Sequence, residues 1–339
     1  MIISHPLKAI ITDAPPSPSG ALQEKWYLKL NDPTQPRALW LEWDLMTSKN
    51  RFKKTADVKA VFFAREPLKE VKKVAFKQSL DIQAFSRGAG DTIQMGACTL
   101  GESGTRGRIH SKGQTIEWEL SFQSIRASTF NLVPESLSKL GLSKHLALTP
   151  YEDLLFSGKV ILNGEVFEFN SARGMLGRSL APKNWHSWVW GHCNLFKNEK
   201  GDPADFIFEG ITMRSQLGPW ILPQFSAFYF RYQGKDYAFN RLRQTLYIKS
   251  KTTLNGWTFQ ADSDDLSFRG HMSAEHKDFA GLTLEDTNGS LLYSAYSTLS
   301  QLKILAYRRG KLETTFDASG NAAFELVSRQ KNPYVPLII

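Results

Sequence analysis

Apolar side chains recur at every second position along most of this chain, in short runs separated by Gly, Asn and Asp. That period is the one a β-strand imposes, because successive side chains point to opposite faces of the sheet. The segments "KWYLKL" (25–30), "ALWLEWDLM" (38–46) and "DVKAVFFARE" (57–66) begin the series, and "TRGRIH" (105–110) and "QTIEWELSFQ" (114–123) continue it. In "LFSGKVILNGEVFEFN" (155–170), Asn163-Gly164 stands between two apolar runs, a pair that favours the left-handed backbone of a tight hairpin. Strand patterns resume at 204–214, 225–240, 244–250, 256–272, 290–299 and 302–316. Helical spacing is confined to "PESLSKLGLSK" (134–144), which Gly141 interrupts. Roughly eighteen strand-like runs, divided about residues 175–185, predict an all-β chain of two tandem antiparallel domains, each a barrel or a sandwich. The Pro- and Ser-rich "DAPPSPSG" (13–20) reads as an irregular lead-in.

A chain of 339 residues exceeds the usual size of one domain, and its 42% apolar and 12% aromatic residues are ample for buried cores. The net charge of +9, from 42 basic and 33 acidic residues, points to anionic partners. No long Lys/Arg run, RNA-binding signature or basic helix accompanies it, so nucleic acid is not an expected partner, while peripheral contact with an anionic membrane stays open. Two cysteines, Cys98 and Cys193, make neither a disulfide framework nor a zinc site and fit a reducing compartment. "MIISHP" lacks the pattern of a secretory leader, and no apolar run approaches the ~18 residues of a membrane span. A cytoplasmic location is expected.

The chemistry-bearing stretch is "KNWHSWVWGHCNLF" (183–196). Read as a strand from Trp188, one face carries Trp188, Trp190, His192, Asn194 and Phe196, and the other Val189, Gly191, Cys193 and Leu195. The large face suits the wall of a ligand-holding lumen, with His192 able to titrate and donate a proton. The plainer reading is an aromatic core in which His192 and Asn194 bond to backbone. His192 and Cys193 point to opposite faces, so no metal site is expected. Elsewhere Glu42 in "LWLEWDL" and Glu117 in "TIEWEL" sit either on solvent faces or inside a barrel, where burial would raise a carboxyl pKa and suit it to acid catalysis. Glu209 in "FIFEG", and Tyr229 and Arg231 in "AFYFRY", are comparable candidates. No G-x-G-x-x-G, P-loop, G-x-S-x-G or H-E-x-x-H motif is present, so nucleotide-cofactor and redox chemistry are disfavoured.

The strip "WVWGHCNLF" (188–196), following the hairpin "FSGKVILNGEVFEFNSARGMLGR" (156–178), resembles the tocopherol cyclase-like and carotenoid 1,2-hydratase-like superfamily, which also includes fungal lipocalin-type Diels–Alderases. "EKWYLKL…ALWLEWDLM" (24–46) and "GRIHSKGQTIEWELSF" (107–122) are similar to two further strand pairs of that superfamily. The resemblance spans about residues 24–215. It implies two tandem lipocalin-like antiparallel β-barrels, here 1–180 (with 1–20 irregular) and 181–339, and an apolar ligand bound in or between them. It also implies chemistry without cofactors on isoprenoid or polyene substrates: cyclisation, hydration or isomerisation. Carried over by position, Trp188, Trp190, His192 and Asn194 would line the pocket; with this chain's own candidates added, His192, Glu42 or Glu117 would donate the proton, and Trp185, Phe196, Tyr229 and Arg231 would also contact the ligand. Where relatives carry a His/Asn-Trp-Gly element, this chain has "GRSLAPKNW", with Arg178 or Asn184 as the polar replacement. The competing expectation is a carrier that binds a lipid or pigment and performs no reaction.

Overall fold

The computed structural model describes residues 20–50, 52–66, 70–88, 92–126, 129–134, 144–241, 244, 248–263 and 265–339. The expected lead-in at 13–19 and nearly all of the expected helix at 134–144 lie outside these. Twelve strands from Leu22 to Ala181 form one antiparallel sheet, and thirteen from Ser187 to Ser328 form a second. One closes almost completely into a barrel and the other is a half-barrel, in keeping with tandem lipocalin-like barrels. Asn163 and Gly164 have φ of 51° and 88°, the left-handed pair that reverses the chain between Leu146–Leu162 and Glu165–Ala181. Among the described residues no helix is long and apolar enough to cross a membrane.

Strand alternation sorts the side chains into three main cores and one small cluster of Leu284, Leu292 and Val327. Trp26, Leu28, Leu41, Trp43, Phe62 and Trp118 point inward and fill the first barrel. Phe208, Phe228, Phe230, Phe259 and Phe268 fill the second, with Phe208 and Phe259 stacked at 4.9 Å and Phe230 and Phe268 at 4.1 Å. Such stacks add about 0.5–1.5 kcal/mol each beyond the area they bury. The third core lies between the barrels, where their outer faces pack together: Trp40, Val61 and Phe63 from the first meet Trp190, Ile211 and Tyr296 from the second. Trp40 and Tyr296 are 5.1 Å apart, and Tyr27 and Trp190 meet edge to face at 6.0 Å.

This arrangement corrects the expected place of the large face of 188–196. Its side chains do not line the lumen of the second barrel; the small face does, and a Cβ on Gly191 would lie 2.7 Å from Met272 Sδ. Trp190 and His192 instead project out of that barrel onto the first. The strand ends at Cys193, and the irregular pair Asn194–Leu195 resets the alternation. Phe196 therefore falls into the second barrel's core, edge to face with Phe206 at 5.0 Å, and not beside Asn194.

Candidate functional site

Between the barrels lies a cavity of about 100 Å³. Tyr27 and Trp40 of the first barrel and Trp185, Trp188, Trp190 and Tyr296 give it aromatic walls. Its polar groups include Lys25, Glu42, His145, Asn184 and Glu325. Tyr27 can lie across its neighbour Gly177 because a Cβ there would come within 2.4 Å of the ring. Trp185 stands between His145, stacked at 5.2 Å, and Trp188, edge to face at 6.0 Å. Asn184 donates to Gln23 Oε1 at 2.7 Å across the barrel junction. Arg178, the other expected polar replacement, points into the first barrel, bonded to Glu24 and lying over Trp26.

The cavity's two carboxyl groups behave oppositely. Burial would raise Glu42, but Lys59 Nζ at 2.6 Å, assisted by Lys25, holds it below the ordinary value. Glu42 thus stays ionised, contrary to its expected role as a proton donor. Glu325 is half-buried, and desolvation pushes its carboxyl up despite donors from Trp188 Nε1 at 2.9 Å and Ser294 Oγ at 2.8 Å. An indole N–H only donates, so Trp188 fixes Oε2 as an acceptor, while Oε1 faces the Ser294 hydroxyl.

His192 is fully buried behind Trp190 and does not line the cavity. Its Nε2 donates to Glu152 O at 3.1 Å, and its Nδ1 meets no partner among the described residues. Burial, reinforced by Lys29, carries its pKa well below the ordinary value, so His192 is neutral and not the expected acid. Asn194 is a clasp between the barrels, donating to Asp153 Oδ1 at 3.0 Å and Gly174 O at 2.9 Å. Lys29 reaches Asn194 Oδ1 at 3.5 Å, and burial lowers that lysine to about 8. Tyr229 and Arg231 project from the same face of the second barrel but turn to Asp236, at 2.8 Å and 2.9 Å, away from the cavity. Glu117 pairs with Arg108 at 3.5 Å on the half-exposed outer wall of the first barrel. Burial gives no help to acid catalysis there.

Behind the cavity wall, Glu209 accepts from Trp190 Nε1 at 2.9 Å and from Thr149 Oγ1 at 2.8 Å. Among the described residues no donor serves either carboxyl oxygen of Glu152, which adjoins Glu209. Two acceptor-only carboxylates cannot bond each other, so Glu152 keeps a proton and donates it to Glu209. Burial, then the charge of Glu209, raises Glu152 well above its ordinary value of 4.5. A raised carboxyl stabilises the fold less as pH climbs, because the unfolded chain releases the proton first. Replacing Glu152 by Gln, whose amide donates at any pH, is therefore expected to raise stability progressively above pH 4.5, by up to about 1.4 kcal/mol per pH unit until the folded group itself ionises. Urea unfolding across pH checks this; parallel curves for the two proteins would sink the assignment.

Among solved structures, kievitone hydratase from Nectria haematococca aligns with a TM-score of 0.51 at 9% identity, over 90% of this chain and 88% of that one. This chain shares the fold of that hydratase. A protein from Nitrosomonas europaea described as an AttH aligns with a TM-score of 0.49 at 12% identity, over 91% and 92% of the two chains. No protein-family model and no curated sequence matches the chain. The expected resemblance to lipocalin-like hydratase-type proteins accordingly holds in the fold.

Proposed function

We propose that this protein is a cofactor-free hydratase or cyclase that protonates an alkene of a hydrophobic, isoprenoid- or polyene-like substrate held between its barrels. The observation that carries this reading is the place of Glu325 on the wall of an aromatic-lined cavity, where burial raises its carboxyl above the ordinary value. The Glu325 proton forms a C–H bond with the alkene π electrons and leaves a cation on the adjacent carbon. Trp40, Trp188 and Trp190 face that charge with their rings, an attraction that strengthens when water is excluded. Water, or a hydroxyl of the substrate, then adds its oxygen to the cation, and its proton returns to the Glu325 carboxylate. That closes the cycle. The shared fold with a hydratase agrees with this reading.

A cavity of about 150 Å³ can hold benzene, so one of about 100 Å³ takes only the reacting end of a substrate. The remainder would pass the half-buried His145 and Trp185. Incubation of the purified protein with a geranylated phenol and with a linear polyene in H₂¹⁸O and in D₂O tests the proposal. Hydration is expected to add ¹⁸O and carbon-bound deuterium, and cyclisation to add deuterium alone. A ligand that binds and is recovered without either isotope would make the protein a carrier. No binding of either class would remove both readings.

A further inference from the structure

Next to the second sheet lies a feature that the proposed chemistry does not use. The strand Phe206–Arg214 runs into a detached two-stranded hairpin, Gln216–Leu217 paired with Trp220–Ile221. Trp220 is 74% exposed, Leu217 69%, Ile221 50% and Leu222 39%. A separate hairpin of this size gains little from its own pairing, so four exposed apolar side chains on and next to it are a concentrated patch and not the usual scatter. Leu254 and Leu337, also exposed, line a cleft of about 490 Å³ beside it. Together these six are half of the large apolar side chains exposed among the described residues.

The same end is basic. Arg214 and Lys251 line the cleft, and among the described residues no Asp or Glu does. Gln224 donates to Ser250 O at 3.0 Å, which ties the base of the hairpin to the strand Lys249–Thr252 and sets Lys249 and Lys251 next to it. Apolar residues with an interfacial tryptophan at the tip and cations at the base are complementary to a bilayer with anionic headgroups. We propose that this end docks on an anionic lipid surface, the hairpin inserting Leu217, Trp220 and Ile221 between headgroups while Arg214, Lys249 and Lys251 meet phosphates. A second protein would cover an apolar patch without requiring cations beside it and no described carboxylate in the cleft lining.

Flotation of the purified full chain with vesicles of phosphatidylcholine, with and without phosphatidylglycerol, tests the docking. The wild type is expected to float with phosphatidylglycerol vesicles at low salt and to be released as salt rises. The double variant L217D/W220D should bind these vesicles at least about 10-fold more weakly. The double variant R214Q/K251Q should lose about 10-fold as well, with its remaining binding less sensitive to salt. Unfolding midpoints of both variants should match the wild type, because the substituted side chains are exposed. As a second measurement, brominated lipid should quench the tryptophan emission of the wild type more than that of W220F. Failure of the wild type to bind phosphatidylglycerol vesicles, or undiminished binding by L217D/W220D, overturns the proposal. So does a solution dimer that L217D/W220D dissolves, since the patch would then belong to a second copy of the chain.

Discussion

Replacing Glu325 by Gln is expected to abolish turnover while leaving the fold and ligand affinity almost unchanged. The amide keeps an oxygen to accept from Trp188 and presents an N–H₂ to the Ser294 hydroxyl, so both contacts of the carboxyl group have a substitute. What it lacks is a proton that can leave. General acid catalysis contributes typically 10²–10⁴-fold, so a loss of at least about 100-fold in turnover is expected, with a dissociation constant within about threefold of wild type. The pH dependence follows from the direction of the shift. A raised Glu325 retains its proton above its ordinary 4.5, and activity falls only as pH climbs through the raised value. Isotope incorporation measured across pH for both proteins decides the matter. Turnover by the variant near the wild-type rate would place the acid elsewhere and end the role given to Glu325.

Much of the fold was legible because alternation and turns are local. "KWYLKL" and "ALWLEWDLM" became strands within a few residues of their expected bounds, and Asn163-Gly164 made the expected hairpin. Alternation also separated His192 from Cys193. It could not say what each face meets, since the outer face of a barrel strand reads alike whether water or another barrel covers it. Glu42 and Trp40 share such a face, and Glu42 is buried only because the second barrel lies over it. Glu117 has the same pattern and meets no such cover. The missed acid has a similar cause. "AAFELVS" (322–328) is a strand with Glu325 between Phe324 and Leu326, a carboxyl group inside an apolar strand like Glu209 in "FIFEG", and it lies beyond the last expected strand, which ends at 316. The ionisation states were beyond any pattern, because Lys59 and Glu42 become neighbours only through strand pairing.

Lys59 is the residue whose loss should destabilise the protein most. It pairs directly across from Glu42, with Nζ 2.6 Å from Glu42 and 3.6 Å from Asp44, and its side chain is almost wholly buried under the second barrel. Lys59→Met keeps the volume and removes the charge, leaving two carboxyl groups with Lys25, 3.9 Å from Asp44, and the weaker influence of Lys77 to offset them. Removing one partner of a buried ion pair costs about 3–5 kcal/mol, which is a large part of a typical stability. Glu42 is depressed in the native protein, so its contribution is present above 4.5 and is lost as pH falls through its lowered value. The gap between wild type and variant should therefore be widest near neutral pH and narrow in acid. Adding Glu42→Gln should recover most of the loss, because the uncompensated charge disappears with it. A single-variant cost below about 1 kcal/mol in urea unfolding would show that solvent reaches the cluster. The same substitution bears on the chemistry. Glu42 lies on the cavity wall and is silent as an acid only because Lys59 holds it ionised, so Lys59→Met in a Glu325→Gln background should restore a measurable part of the lost turnover.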